Sequence, residues 1–266
     1  MKADPFLDTL LEGAVAAARA AGTHARTNFA RRGEAVARFA HDVKLKLDEE
    51  CQQICQAEIT GRFPSHSILG EEDATVGGRT GSGVEWVVDP IDGTVNFSHG
   101  LPFWCCSVAA LQDGDSVAGA VYAPALDLLY TARRGGGAFC NGEPIGVSPV
   151  ATLDQAMVLT GLDKNPDGKL PPLALFEATS RAVQKARILG SAALDICRVA
   201  HGQADAYFET GIYIWDIAAA RLILAEAGGQ AETMEFLEHD RLRFIASNGL
   251  VHEAYRTLMQ KTLNQR

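Results

Sequence analysis

Two aspartates three positions apart, Asp89 and Asp92 in Glu85-Trp-Val-Val-Asp-Pro-Ile-Asp-Gly-Thr-Val-Asn-Phe97, stand where a short apolar run ends. Carboxylates so close repel each other, and both stay ionised only beside a cation, a cluster of donors or water. Hard oxygen ligands on a tight turn suit Mg²⁺ or Mn²⁺. Pro90 fixes φ and removes a backbone donor, while Gly93 permits a positive φ or close approach of a bulky anion to the main chain. The alternative is an ordinary solvated turn, since Asp-Pro and Asp-Gly are common turn dipeptides.

Other segments bear on that choice. Gly70-Glu71-Glu72-Asp73 ends a short apolar run; consecutive acids after a glycine are usually a solvated loop. If that run pairs beside Trp86-Val87-Val88, however, Glu71 arrives at the same sheet edge as the two aspartates. Gly190-Ser191-Ala192-Ala193-Leu194 opens a helix, where free backbone N–H groups and the helix dipole favour a phosphate or a hydroxylated anion. Trp215-Asp216-Ile217 places another acid at a helix start, as an N-cap or as a ligand. Asp48 has the same two readings, N-cap or outer metal ligand.

The elements that must position these residues follow from periodicity. Leu7, Leu10, Leu11, Ala14, Val15 and Ala18 predict an amphipathic helix over 6–29. Arg26, Arg31, Arg32 and Arg38 around its end read as a solvated face rather than a basic patch. Val43, Leu45 and Leu47 alternate with Lys44 and Lys46, predicting a strand, and a second helix runs through Cys51, Ile54, Cys55 and Ile59. Strands are predicted at 66–69 and 86–88, with 77–83 a glycine-rich surface loop between them. Alternation over 104–111, 117–122 and 128–132, broken by Asp113-Gly114, Pro124 and Gly135-Gly-Gly137, predicts an antiparallel meander. The glycine triplet lacks the Lys-Ser/Thr ending of a phosphate loop and reads as a turn, and Asn141-Gly142 marks a tight hairpin.

The character of the chain changes at 149–154. There we place a boundary between an N-terminal α+β half, 1–150, which carries Asp89 and Asp92, and a C-terminal α/β half, 151–266, which would complete the site. In the second half, strands over 157–160, 187–189, 204–208 and 244–246 alternate with helices over 173–185, 192–201, 217–227 and 251–261. Gly228-Gly229 stops the third of these helices.

The chain has 266 residues, 47% of them apolar and 21% charged, which allows a sizeable core. A net charge of -9 argues against a general binder of nucleic acid or anionic membrane, so the expected partners are small molecules. The N-terminus lacks a basic segment followed by an apolar core, and no run approaches the roughly 18 to 20 apolar residues that a span requires. A cytoplasmic protein is expected. The six cysteines lack a Cys-x-x-Cys pair, which predicts buried thiols rather than a disulfide frame or zinc site. His99 and His201 lie near the motifs without metal-type spacing and read as structural.

Taken together, Gly70-Glu-Glu72, Asp89-Pro-Ile-Asp-Gly-Thr94, Gly190-Ser-Ala-Ala193, Trp215-Asp-Ile-Ala-Ala219 and Glu226-Ala-Gly-Gly229 resemble the inositol monophosphatase family in order and spacing over nearly the whole chain. The resemblance implies a layered αβαβα sugar-phosphatase fold, with mixed and antiparallel sheets sandwiched by helices. It further implies two or three Mg²⁺ ions per site, with Mn²⁺ as a substitute, inhibition by Li⁺ and a homodimer. Glu71, Asp89, Asp92, Asp216 and the main-chain carbonyl of Ile91 are implied as metal ligands, Asp89 being shared between two ions. Glu71 and Thr94 are implied to orient and deprotonate the attacking water, with Asp92 in the same catalytic set. Gly93 and Thr94 would offer backbone N–H groups to the phosphate, and Gly190, Ser191, Ala192, Glu209 and Asp216 would contact the rest of the substrate. Lys44 stands where the family usually has a threonine, while Asp48 keeps the acid near which a third ion would lie.

The expected activity is therefore Mg²⁺-dependent hydrolysis of a phosphate monoester, foremost inositol 1-phosphate, by a metal-activated water. Related substrates are fructose 1,6-bisphosphate, adenosine 3',5'-bisphosphate, NADP and histidinol phosphate. A non-catalytic binding protein on the same fold is the reading from another class.

Overall fold

The computed structural model describes residues 4–38, 43–72, 83–162 and 172–264, so the loop expected at 77–83 lies outside the described residues as far as position 82. In chain order the elements are α1 (Pro5–Thr27), β1 (Ala35–Arg38), β2 (Val43–Leu45), α2 (Lys46–Arg62), β3 (Ser67–Gly70), β4 (Val84–Asp92) and α3 (Thr94–His99). Then come β5 (Cys105–Gln112), β6 (Asp115–Ala123), β7 (Leu128–Arg133), β8 (Ala138–Cys140), β9 (Glu143–Pro144), β10 (Met157–Thr160) and α4 (Pro172–Ala182). The chain closes with β11 (Lys185–Arg187), α5 (Ala192–Ala200), β12 (Ala206–Ile212), α6 (Ile214–Glu226), β13 (Gln230–Phe236), β14 (Leu242–Ser247) and α7 (His252–Asn264).

Strands β3 to β9 lie side by side in a seven-stranded sheet, antiparallel except for the parallel pair β3 and β4. The second sheet has the order β11-β10-β12-β14-β13, with β10 parallel to both neighbours. Alternation along the strands decides what covers each face. Trp86, Val88, Cys106, Val108 and Ala110 pack with the apolar stripes of α1 and α2, whereas Val87, Cys105, Ala109 and Leu111 pack with α5 and α6. Leu159, Tyr207 and Phe244 meet the other side of those two central helices, and Val158, Phe208 and Ile245 face α4 and α7. Five layers result, α on β on α on β on α.

α6 is apolar on nearly every side because both sheets contact it. Its approach is so close that a Cβ at Gly119 of β6 would lie 3.1 Å from the Ala219 Cα. Its last turn is tied to the glycine triplet, for the Glu226 carboxylate accepts N–H bonds from Gly135 and Gly137, both at 2.8 Å. The triplet is a turn, as its flanks predicted, and Asn141-Gly142 joins β8 to β9 with both residues at positive φ, 51° and 85°. All six cysteines are buried free thiols.

The structure departs from the sequence reading at several places. α4 ends at Ala182 and the following strand occupies 185–187, because the Lys185 N–H bonds to the Ala156 carbonyl and β11 registers on β10 from there. β1 and β13 were not expected. β13 is an edge strand, half exposed on both faces, so its sequence carries no alternation. β4 does not turn at Pro90 but continues to Asp92 through a bulge, Asp89 facing Ser107 and Asp92 facing Cys105. A bulge leaves one residue outside the ladder, which is where a strand tolerates a proline.

Candidate active site

The bulge delivers two acids to the end of β4, with Asp89 1% and Asp92 7% exposed. The parallel register of β3 on β4 brings Gly70 opposite Val88, and the Glu71 N–H then bonds to the Val88 carbonyl at 3.1 Å. Glu71 thus leaves the sheet beside Asp89, within hydrogen-bond reach of it. Asp216 arrives from the first turn of α6. It is not the N-cap: Tyr213 is, and Asp216 at the third helical position accepts the Tyr213 N–H at 2.6 Å. Asp48 likewise sits at the third position of α2 and accepts the Leu45 N–H at 2.7 Å. Both acids supply the side-chain half of a capping box.

These segments converge on a cavity of about 200 Å³ lined by Glu71, Asp89, Asp92 and Asp216. Ile91, Gly93, Thr94 and Gly190 complete it, with Val95 beside them. One oxygen each from Asp89, Asp92 and Asp216 lie within 4.8 Å of one another, a spacing that fits a cation. Gly93 turns the chain at φ 92°, where a Cβ would meet the Gly190 and Phe103 carbonyls at 3.1 Å. The Thr94 hydroxyl donates to the Ile91 carbonyl at 2.9 Å, and that oxygen has a second lone pair to offer.

Burial first, then the charges of neighbouring acids, push Glu71 and Asp89 well above the ordinary carboxylate range. Burial also raises Asp92, against the pull of its hydrogen bonds from Ser191, Ala193 and Ala192. The Asp89 Oδ1 is buried with no hydrogen-bond partner among the described residues. Four acids in one cavity, none of its lining residues cationic, fit a divalent ion.

The start of α5 does not present its N–H groups to an open space as the motif suggested. Asp92 already accepts from Ala192 N–H at 3.1 Å, Ala193 N–H at 2.8 Å and the Ser191 hydroxyl at 2.6 Å. Ser191, Ala192 and Glu209 lie outside the cavity lining. Glu209, on β12, accepts the Tyr207 hydroxyl, and its carboxylate fills the space above Gly161. His99 is exposed and His201 pairs with Tyr130, both away from the cavity.

Three further residues beside the site gave little sign of themselves in the sequence. Asn96 Nδ2 donates to the carbonyls of Phe103 at 2.8 Å, Leu189 at 2.7 Å and Gly190 at 3.2 Å, clamping the α5 approach to α3. Asn96→Ala would strand these carbonyls, at about 1–3 kcal/mol. A fall in Tm of several degrees is the expected result, and a thermal melt shifted by less than about 1 °C would mean that Gly190 is held some other way. Asp195, one turn along α5 from Ser191, is 2% exposed with its Oδ1 unbonded among the described residues. Burial and the charges of Asp92 and Glu209 raise its pKa; the Ser191-x-x-x-Asp195 spacing was the sole hint. Gln52 is the third, buried on α2 with its Oε1 accepting the Glu72 N–H.

The model of the inositol monophosphatase family matches residues 7–265. An inositol monophosphatase of Dictyostelium discoideum is 38% identical over 228 residues, covering 84% of each chain. A fructose-1,6-bisphosphatase/inositol-1-monophosphatase of Thermotoga maritima is 38% identical over 214 residues, 80% of each. The solved inositol monophosphatase from Anabaena superposes with a TM-score of 0.85 at 32% identity, covering 96% of this chain and 97% of that one.

Proposed function

Because this chain belongs to the inositol monophosphatase family, we propose that it hydrolyses the phosphate monoester of a small polyol, inositol 1-phosphate above all, with Mg²⁺ as its cofactor. The observation that carries the reading is the meeting of Glu71, Asp89, Asp92 and Asp216, from three separate segments, in one cavity with an Asp89 oxygen unsatisfied among the described residues. The two halves, 1–150 and 151–266, each supply part of that set.

Glu71, Asp89, Asp92, Asp216 and the Ile91 carbonyl would hold the ions, with Asp89 common to two of them. Four carboxylates carry about -4, which two divalent cations neutralise. When bound, such a pair supplies an acidified water and stabilises the leaving oxygen. Glu71 and Thr94 would orient and deprotonate that water together, Glu71 as the carboxylate that receives the proton and Thr94, whose hydroxyl donates to the Ile91 carbonyl, as a hydrogen-bond acceptor that aims it. Gly93 and Thr94 direct N–H groups at the phosphate. Ser191 and Ala192 serve by holding Asp92, while Gly190, Glu209 and Asp216 meet the alcohol portion.

Li⁺ inhibition and a homodimer belong to the same proposal through the family resemblance. Six unpaired buried cysteines support a reducing, cytoplasmic setting. Among the described residues no helix is long and apolar enough to cross a membrane. The Thermotoga relative's name joins two substrates, so fructose 1,6-bisphosphate is the main competitor.

Phosphate release from inositol 1-phosphate, fructose 1,6-bisphosphate, adenosine 3',5'-bisphosphate, NADP and histidinol phosphate, compared as kcat/KM with Mg²⁺ present, tests the reading. The highest value is expected for inositol 1-phosphate. Release from none of them would overturn the enzyme assignment in favour of a binding role.

A further inference from the structure

Glu71 and Glu72 are adjacent and chemically alike, yet Glu71 lines the cavity and Glu72 does not. Something must choose between them, since two neighbouring carboxylates at a strand exit could each swing to a cation. The choice is made behind β3. Gln52, on α2 one turn after Asp48, is 2% exposed, and its Oε1 accepts the Glu72 N–H at 2.9 Å. The same amide lies against the Gly70 main chain so closely that a Cβ there would come within 2.3 to 2.7 Å of it. With the Glu71 N–H bonded to Val88 on β4, the backbone on either side of the Glu71 side chain is fixed, from β4 on one side and α2 on the other.

Lys44 acts on the side chain. Its ammonium lies 2.5 Å from Glu72 Oε2 and 3.5 Å from Glu49 Oε1, drawing the Glu72 carboxylate toward β2 and α2. The Glu72 charge is among those that burden Glu71, so pairing it with a cation also relieves the acid that remains in the cavity.

We infer that Gln52 and Lys44, neither of which lines the cavity, are positioning residues that select Glu71 over Glu72 and set its carboxylate for the metal; this rests on the proposed ligand role of Glu71. Groups that orient a ligand from behind typically change metal affinity about 10- to 100-fold when removed.

The test is calorimetric titration of the full chain with Mg²⁺, alongside melting in EDTA and kcat at saturating Mg²⁺. Gln52→Leu is expected to weaken Mg²⁺ binding about 10-fold or more, with kcat at saturating metal within about threefold of wild type. Gln52→Glu keeps the acceptor for the Glu72 N–H and is expected to bind within about threefold of wild type. Lys44→Met, at a side chain that is 31% exposed and so compatible with folding, is expected to weaken binding at least about threefold. Gln52→Leu or Lys44→Met binding Mg²⁺ as wild type does would overturn the inference, as would equal losses in Gln52→Leu and Gln52→Glu. Should Gln52→Leu fail to fold, Lys44→Met decides alone. A wild-type chain that takes up no Mg²⁺ would instead overturn the metal reading on which this one stands.

Discussion

Asp89→Asn is expected to lower kcat/KM by about a thousandfold or more, on the order of 4 kcal/mol of barrier, and at the same time to make the metal-free chain more resistant to heat. The two effects share one cause. Asp89 is buried beside Glu71, Asp92 and Asp216, and burial followed by those charges raises its affinity for a proton in the folded state. An acid shifted upward destabilises the fold once the pH exceeds its unfolded value, about 3.9, and the loss is complete only above its folded value. At neutral pH the metal-free chain therefore bears the cost of this buried carboxyl, either as repulsion when ionised or as a proton it must take up, and asparagine removes that cost. The asparagine amide has a carboxylate to donate to, because Glu71 lies within hydrogen-bond reach.

Each kcal/mol of relieved repulsion raises Tm by about 2–4 °C in a chain of this size. Melting both proteins in EDTA near neutral pH, and assaying both in saturating Mg²⁺, reads the two effects separately. A variant that melts lower than wild type would mean that Asp89 stabilises the empty fold, and one that keeps its activity would remove Asp89 from the ligand set.

That opposition between the empty fold and the loaded site explains which residues the sequence disclosed. Asp89, Asp92, Glu71 and Asp216 were visible because each interrupts an apolar pattern at the end of a strand or the start of a helix, where burying an acid has no structural benefit. Their convergence depended on one pairing, β3 beside β4, which a local pattern suggests but cannot establish. Asn96 and Gln52 were illegible for the opposite reason. Each makes its bonds to main-chain atoms, Asn96 across more than 90 positions to Leu189 and Gly190, Gln52 across 20 to Glu72, and a backbone partner leaves no mark on residue type.

Asp92 shows the limit from the other side. Its identity as a site acid was plain, and so was the anion-binding character of the α5 start, but the sequence did not show that the first occupies the second. The N–H groups read as a cradle for substrate hold a protein carboxylate instead. Asp92 therefore has two tasks, fastening β4 to α5 and offering an oxygen to the cavity, and donors that hold one part of its charge reduce what it can give to a cation. A buried acid tied in this way keeps its geometry when the metal leaves, whereas Asp89, with one oxygen unbonded, does not have that support.

Lowering the pH from about 8 to about 6 is expected to weaken activation by Mg²⁺ about tenfold per pH unit for every proton displaced on loading. Glu71 and Asp89 both hold protons more tightly than free carboxylates do, through burial first and mutual charge second. A divalent cation held by these oxygens would require their ionised forms, so proton and metal would compete for them over a range where isolated acids would already be bare. The sign is fixed by that competition: binding tightens as the pH rises and levels off above the folded-state values. Excess Mg²⁺ should restore activity at the acidic end, because the lesion is in occupancy and not in the fold. Calorimetry in two buffers of different ionisation enthalpy counts the protons released, and net release is expected to grow as the pH falls. A constant of activation that stays flat across the whole interval, with no proton release, would mean that these acids are already ionised without metal. The repulsion argued for Asp89 would then have to be screened by groups the cavity does not contain.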